Sequence, residues 1–151
     1  MKFINYLATL VMAGLVLSSV AVQAHDDTDD DVHKIVLHMS DKNPKRMNLL
    51  LNNISNINKY YQNKGEEVMV EIVVYGHGLK MVSQDSPVKK RMKIVADNYE
   101  NVTFKACQST VDALAKQSGK KIELLPQVSF VQSGLAHLVE LQESGWVYIH
   151  H

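Results

Sequence analysis

The sequence predicts an α/β protein, a three-layer α/β/α sandwich around a five-stranded parallel sheet, and three observations carry that prediction. Short runs rich in β-branched and aromatic residues alternate with longer segments of helical spacing, in the order β-α-β-α-β-α-β-α-β. The runs at 34–39 and 67–75 are apolar almost without a break, as strands buried on both faces are. Proline or serine opens the helical segments, and Gly65, Gly119 and Gly145 close three of them. Right-handed crossovers then place the helices on both faces of a parallel sheet.

The chain has 151 residues, enough for one domain with a single core. Residues 1–24 read as a signal peptide: Lys2 is the positive start, 7–22 is apolar, and Val22-Gln23-Ala24 is a small-residue cleavage site. The apolar stretch is shorter than the ~20 residues of a spanning helix, so the expected product is a soluble periplasmic or secreted protein. Residues 25–33 form an acidic tail with five aspartates, expected to be disordered because it has no apolar face to repay ordering. His25 and His33 give the tail metal-ligating groups, but nothing fixes their geometry, and no metal site or cofactor is assigned. The domain proper is expected over 34–151.

The first strand is read at 34–39, and Pro44 starts a helix whose inner face is Met47, Leu50, Leu51, Ile54, Ile57 and Tyr61. The second strand, 67–75, runs into Gly76-His77-Gly78, where glycines permit a tight turn or close approach of a ligand. Ser86 and Pro87 are expected as cap and first residue of the next helix, with Val88, Met92, Val95, Ala96 and Tyr99 inward. Lys89, Lys90, Arg91 and Lys93 fall on its outer side, either as a solvated face or as a surface for acidic partners. The third strand is 102–106, and a helix follows from Thr110 to Gly119. A fourth strand is placed at 122–125, stopped by Pro126, with 127–132 a loop or short extension. Ser133 caps the last helix, with Leu135, Leu138, Val139 and Gln142 inward and His137 outward, and 146–149 is the fifth strand.

Cys107 is the only cysteine. An exported chain with one cysteine has no internal disulfide, so the thiol is either reactive or bonded between chains. The reading places it in a short loop after the third strand, just before a helix capped by Ser109 with Asp112 reaching back to it. Free N–H groups and the helix dipole there favour a thiolate. The alternative is that Cys107 packs as a small hydrophobe. His77 ends the second strand on the same sheet edge and is the candidate base, while Lys105 is a candidate cation on the same strand as Cys107. Gly76, Gly78, Lys105 and Ser109 complete the candidate binding residues. His38 and Ser40 end the first strand; His38 can equally face the core. No zinc-binding spacing, nucleophile elbow or phosphate-loop pattern is present.

The runs Val74-Tyr75-Gly76-His77-Gly78-Leu79 and Phe104-Lys105-Ala106-Cys107-Gln108-Ser109-Thr110, with Leu125-Pro126, Ser133-Gly134 and the ending Leu141-Gln142-Glu143-Ser144-Gly145-Trp146-Val147-Tyr148-Ile149, carry a likeness. From about residue 33 to the end, the chain resembles the DsrE/DsrF-like family of small α/β sulfur-relay proteins, in particular its exported branch. The resemblance implies a flavodoxin-like appearance and assembly as trimers or hexamers. It also implies one cysteine, here Cys107, that takes up sulfane sulfur as a persulfide and passes it on. The family's characterised relay proteins are cytoplasmic, whereas this chain begins with a signal peptide.

The expected function is therefore a periplasmic sulfur carrier or sulfurtransferase working through Cys107. A non-catalytic binding or assembly module with Cys107 as packing is the alternative. The expected partners are a sulfur-donor or acceptor protein, or a small sulfane-sulfur compound. Bases and acids balance at 16 each, and loss of Lys2 with the signal would tip the balance to acid. That charge argues against nucleic acid and anionic membranes as partners.

Overall fold

The structure, a computed structural model, describes residues 32–150. The signal-peptide reading and most of the acidic tail lie outside the described residues. The first strand begins at Val32 rather than Lys34, so the last two residues read as tail belong to the sheet, and His33 Nε2 lies 2.9 Å from Glu66 Oε2.

Among the described residues, five parallel strands alternate with four α-helices. β1 is Val32–Met39, β2 Glu67–Val74, β3 Val102–Cys107, β4 Val128–Val131 and β5 Val147–Ile149. α1 is Pro44–Lys64, α2 Lys89–Asn98, α3 Gln108–Ser118 and α4 Gly134–Glu143, and a 3-10 segment, Gly76–Met81, follows β2. The sheet order is β4-β3-β2-β1-β5.

That order dictates where the helices go. β1, β2, β3 and β4 are laid down side by side in one direction, so right-handed crossovers put α1, α2 and α3 on the same face. The step from β4 to β5 returns past the whole sheet in the other direction, so α4 lands on the opposite face. The core follows this division. Met47, Leu50, Leu51 and Ile54 of α1, Met92 and Val95 of α2 and Val111 of α3 bury Leu37, Ile72, Val74, Phe104 and Ala106. The second face holds a smaller cluster in which Leu138 of α4 packs on Val36 and Val73, flanked by Tyr75, Leu141, Trp146 and Tyr148. The three layers are therefore unequal, with α4 alone on the second face.

α1 matches its sequence reading: Asn43 caps it by accepting from the Lys45 N–H at 2.9 Å, Pro44 starts it, and Gly65 ends it at φ 70°. Four expectations differ. α2 begins at Lys89, two residues past Pro87, because Ser86, Pro87 and Val88 form a turn in which the Ser86 hydroxyl accepts from the Val88 N–H. The stretch 122–125 is not a strand of the sheet. Leu125 donates to Val82 and Gln84 to Glu123, so it pairs with the segment before α2, and the adjoining 128–131 joins β3 instead. On α4 the inward face is Gly134, His137, Leu138 and Leu141, while Leu135 and Val139 are 60% and 51% exposed. The helix N-cap before α3 is Cys107 itself, not Ser109.

Candidate functional site

β3 runs without interruption into α3, so no loop separates strand from helix and Cys107 is the last strand residue and the N-cap at once. Its register places it beside Val131 of β4. Side chains alternate along β3, so Cys107 and Lys105 point to the second face, the one α4 covers. α4 starts directly above: a Cβ on Gly134 would lie 3.3 Å from the Cβ of Cys107, the Cβ of Tyr75 and Cγ1 of Val73. A larger residue there would be tight, and its neighbours would have to give by a few tenths of an ångström. The sulfur thus sits at the N-termini of two helices, α3 through its own backbone and α4 through Gly134.

Burial alone pushes the Cys107 thiol up, as it must for a group only 6% exposed. Hydrogen bonds overcome it: the Thr110 hydroxyl and the N–H groups of Gly134, Thr110 and Ser109 favour the thiolate, and the net displacement is below the ordinary thiol value. The Thr110 hydroxyl oxygen also accepts the Gly76 N–H at 3.3 Å, which links the 3-10 segment after β2 to the sulfur through one hydroxyl.

Ser109 does not cap α3; its hydroxyl and its N–H both donate to the Gln132 carbonyl, at 2.8 and 3.3 Å, tying α3 to the start of α4. Asp112 accepts from the Gln108 side chain at 2.7 Å and does not reach back to Ser109. His77 is exposed and lines a cavity of about 350 Å³ with Gly76, Ser109, Thr110, Ala113 and Leu114, beside the cysteine's helix but not bonded to the sulfur. Lys105 is half-buried on the cysteine's own face. Neither His77 nor Lys105 is among the main causes of the thiol's acidity, so the expected cation is replaced by hydrogen-bond donors. Gly76 is needed for its φ of 54°, and Gly78 because a Cβ there would lie 2.1 Å from the Met39 carbonyl oxygen. That close approach is to the end of β1, not to a ligand. Cys107 is also less accessible than a reactive thiol was expected to be.

The basic run on α2 is partly engaged within the chain. Lys93 pairs with Asp97, Arg91 donates to Asn48 and Asn52, and Lys89 donates to Gln84.

Two groups escaped the sequence reading. Tyr75, His38 and Tyr148 stack across the C-terminal ends of β2, β1 and β5, with ring centroids 5.4 and 5.7 Å apart. Burial, then His150 and Arg46, holds His38 below the ordinary imidazole value. Burial, then Tyr75, pushes Tyr148 up, and its hydroxyl is hydrogen-bonded with His38 Nδ1 at 2.7 Å. Glu71 of β2 is buried at 7% exposure, with its Oε1 2.5 Å from His137 Nε2 of α4. Its signal was visible: an acid interrupting the apolar half of a central strand needs a buried partner. Among the described residues, no cluster of histidine, cysteine, aspartate and glutamate has the geometry of a metal site. No helix among them is long and apolar enough to cross a membrane.

Fold and site together define a five-stranded parallel α/β protein with one cysteine held where two helices begin. No family model matches the chain, and no curated protein matches it. Among solved structures, MTH1491 from Methanobacterium thermoautotrophicum, a protein of unknown function, is 30% identical, with a TM-score of 0.67 over 79% of this chain and 99% of that one. The chain belongs to the family of that protein. BT1422 from Bacteroides thetaiotaomicron, a conserved protein of unknown function, is similar in fold alone, at 17% identity and a TM-score of 0.52 over 82% of this chain and 97% of that one.

Proposed function

We propose that this protein is an exported sulfur carrier of the DsrE/DsrF-like kind that holds sulfane sulfur as a persulfide on Cys107. The observation that carries the reading is the placement of Cys107 as the N-cap of α3 and under Gly134 at the start of α4, where donors from Thr110, Gly134 and Ser109 favour the thiolate despite burial. A persulfide carrier needs a thiolate at neutral pH to attack sulfur. The Cys107 thiolate attacks the terminal sulfur of a donor persulfide. A sulfur–sulfur bond forms on Cys107, the donor's sulfur–sulfur bond breaks, and the donor leaves as a thiol carrying the proton. The terminal sulfur of the product is itself an anion, and N–H donors that stabilise a thiolate suit it as well. With no second cysteine in the chain, no internal thiol resolves the persulfide to a disulfide.

The proposed partners are a donor or acceptor protein, or a small sulfane-sulfur compound, met by a homo-oligomer outside the cytoplasm. His77 is retained as a residue of the approach, since it borders the cavity beside Ser109 and Thr110. The second reading is a binding or assembly module, favoured by one observation: Cys107 is only 6% exposed and packs against Gly134.

Intact mass after incubation with a polysulfide donor separates the two. A reducible gain of one sulfur on the wild type, absent from Cys107→Ser, is expected. No gain on a folded wild-type protein supports the assembly reading instead.

A further inference from the structure

We infer that Glu71 and His137 are positioning residues for Cys107, fastening the first turn of α4 so that the Gly134 N–H stays on the sulfur. The second face of the sheet carries more polarity than its packing needs. Glu71 lies in the central strand, flanked by Val70 and Ile72, and is 7% exposed. Its carboxylate accepts from His137 Nε2 at 2.5 Å and from the Thr103 hydroxyl at 3.2 Å, and His137 Nδ1 lies 3.7 Å from Glu140 Oε2 on the solvent side. Lys34 on β1 and Lys105 on β3 share this face of the sheet by strand alternation. Desolvating a carboxylate opposes folding, and an apolar pair of similar volume holds a helix on a sheet at least as firmly. Adhesion alone does not call for this pair. What an apolar contact lacks is direction. A short charged hydrogen bond sets both the height and the rotation of the helix.

The rotation matters one turn earlier. Gly134 and His137 are three residues apart and occupy the same face of α4. A Cβ added at Gly134 would lie 3.3 Å from side-chain carbons of Cys107, Tyr75 and Val73, so the turn sits close over the cysteine, and its N–H is one of the donors that favour the thiolate. Leu138 packs on Val36 and Val73 and resists lifting, but an apolar side chain slides. The Glu71–His137 bond stops the slide. The same turn covers the sulfur, so the pair controls two properties of one atom: its acidity, through the Gly134 N–H, and its access, through the position of the turn.

This inference deepens the reading of Cys107 as the working thiol, and its test has its own readout. The thiolate absorbance of Cys107 is titrated in the native wild-type protein, in Glu71→Gln and in the double variant Glu71→Leu/His137→Leu. The alkylation rate is measured at a pH where the thiol is fully ionised. The double variant retains or gains thermal stability, yet its thiol pKa rises by about one unit, the equivalent of one hydrogen bond to a charged group. Its limiting alkylation rate rises about tenfold as the turn opens more often. Glu71→Gln, which keeps an acceptor and folds with a one-atom change, shifts both in the same directions by less. Wild-type titration and alkylation in both folded variants overturn the inference. Persulfide uptake is scored separately: uptake with unshifted variants sinks the positioning role alone, and shifted variants without uptake sink the sulfur-carrier reading alone.

Discussion

Thr110 offers the most direct handle on the thiol. Its hydroxyl donates to the Cys107 sulfur and accepts the Gly76 N–H at 3.3 Å, so one group serves both. Thr110→Val keeps shape and β-branching and removes only that hydroxyl. A hydrogen bond to a charged group contributes about 1.5–3 kcal/mol. One pKa unit corresponds to about 1.4 kcal/mol. The thiol pKa of Thr110→Val is therefore expected to rise by about one unit, with N–H donation from Gly134, Thr110 and Ser109 retained. Thr110→Ser keeps the donor and titrates like the wild type. The sign of the stability effect follows from the direction of the shift. The native thiol pKa lies below its unfolded value. The stability it contributes is fully present above the unfolded thiol pKa of ~8.5 and is lost as pH falls through the native value. Wild type and Thr110→Val therefore differ most in denaturation midpoint at alkaline pH. They converge in acid, where only the Gly76 bond distinguishes them. Thiolate absorbance against pH, with denaturant melts at pH 6 and pH 9.5, measures both. An unchanged titration in a natively folded Thr110→Val refutes the claim that side-chain hydrogen bonding sets the acidity.

Gly78→Ala would place a Cβ 2.1 Å from the Met39 carbonyl oxygen and 2.9 Å from Ser40 Cα, both backbone atoms that cannot rotate away. A loss of about 3 kcal/mol or more is expected in urea unfolding, at the upper end of overpacking effects. A loss under about 1 kcal/mol would contradict the contact between the 3-10 segment and the end of β1. Asn101 donates to the Asn58 side chain at 2.7 Å and to the Val68 carbonyl at 2.6 Å, and Asn58 is buried. Asn101→Ala leaves both acceptors without that donor and should cost about 1–3 kcal/mol in the same assay. A neutral result would mean that water replaces the amide.

The periodicity and punctuation of the chain determined the elements. α1 begins at Pro44 and ends at Gly65 because cap, proline and glycine act within a few residues of one another. The same locality made the α/β class readable and the strands at 67–75 and 102–106, each within one residue of the observed end. Locality is also why 122–125 reads as a strand of the sheet and is not one. Its composition suits a strand, but whether it joins the sheet depends on Val82 and Gln84, which lie some forty residues away. The cysteine was legible as a thiol at a helix start. Its real surroundings were not, because Gly134 reaches it only through the crossover from β4 to β5. His137 read as exposed for a like reason: helical spacing says which residues share a face, and only the sheet beneath says which face turns inward. The tertiary structure alone decided that α4 lies by itself on the second face, that a buried glutamate meets it there, and that two helix starts share one sulfur. Hydrogen bonds and burial between distant segments carry no periodicity along the chain, so no window of sequence contains them.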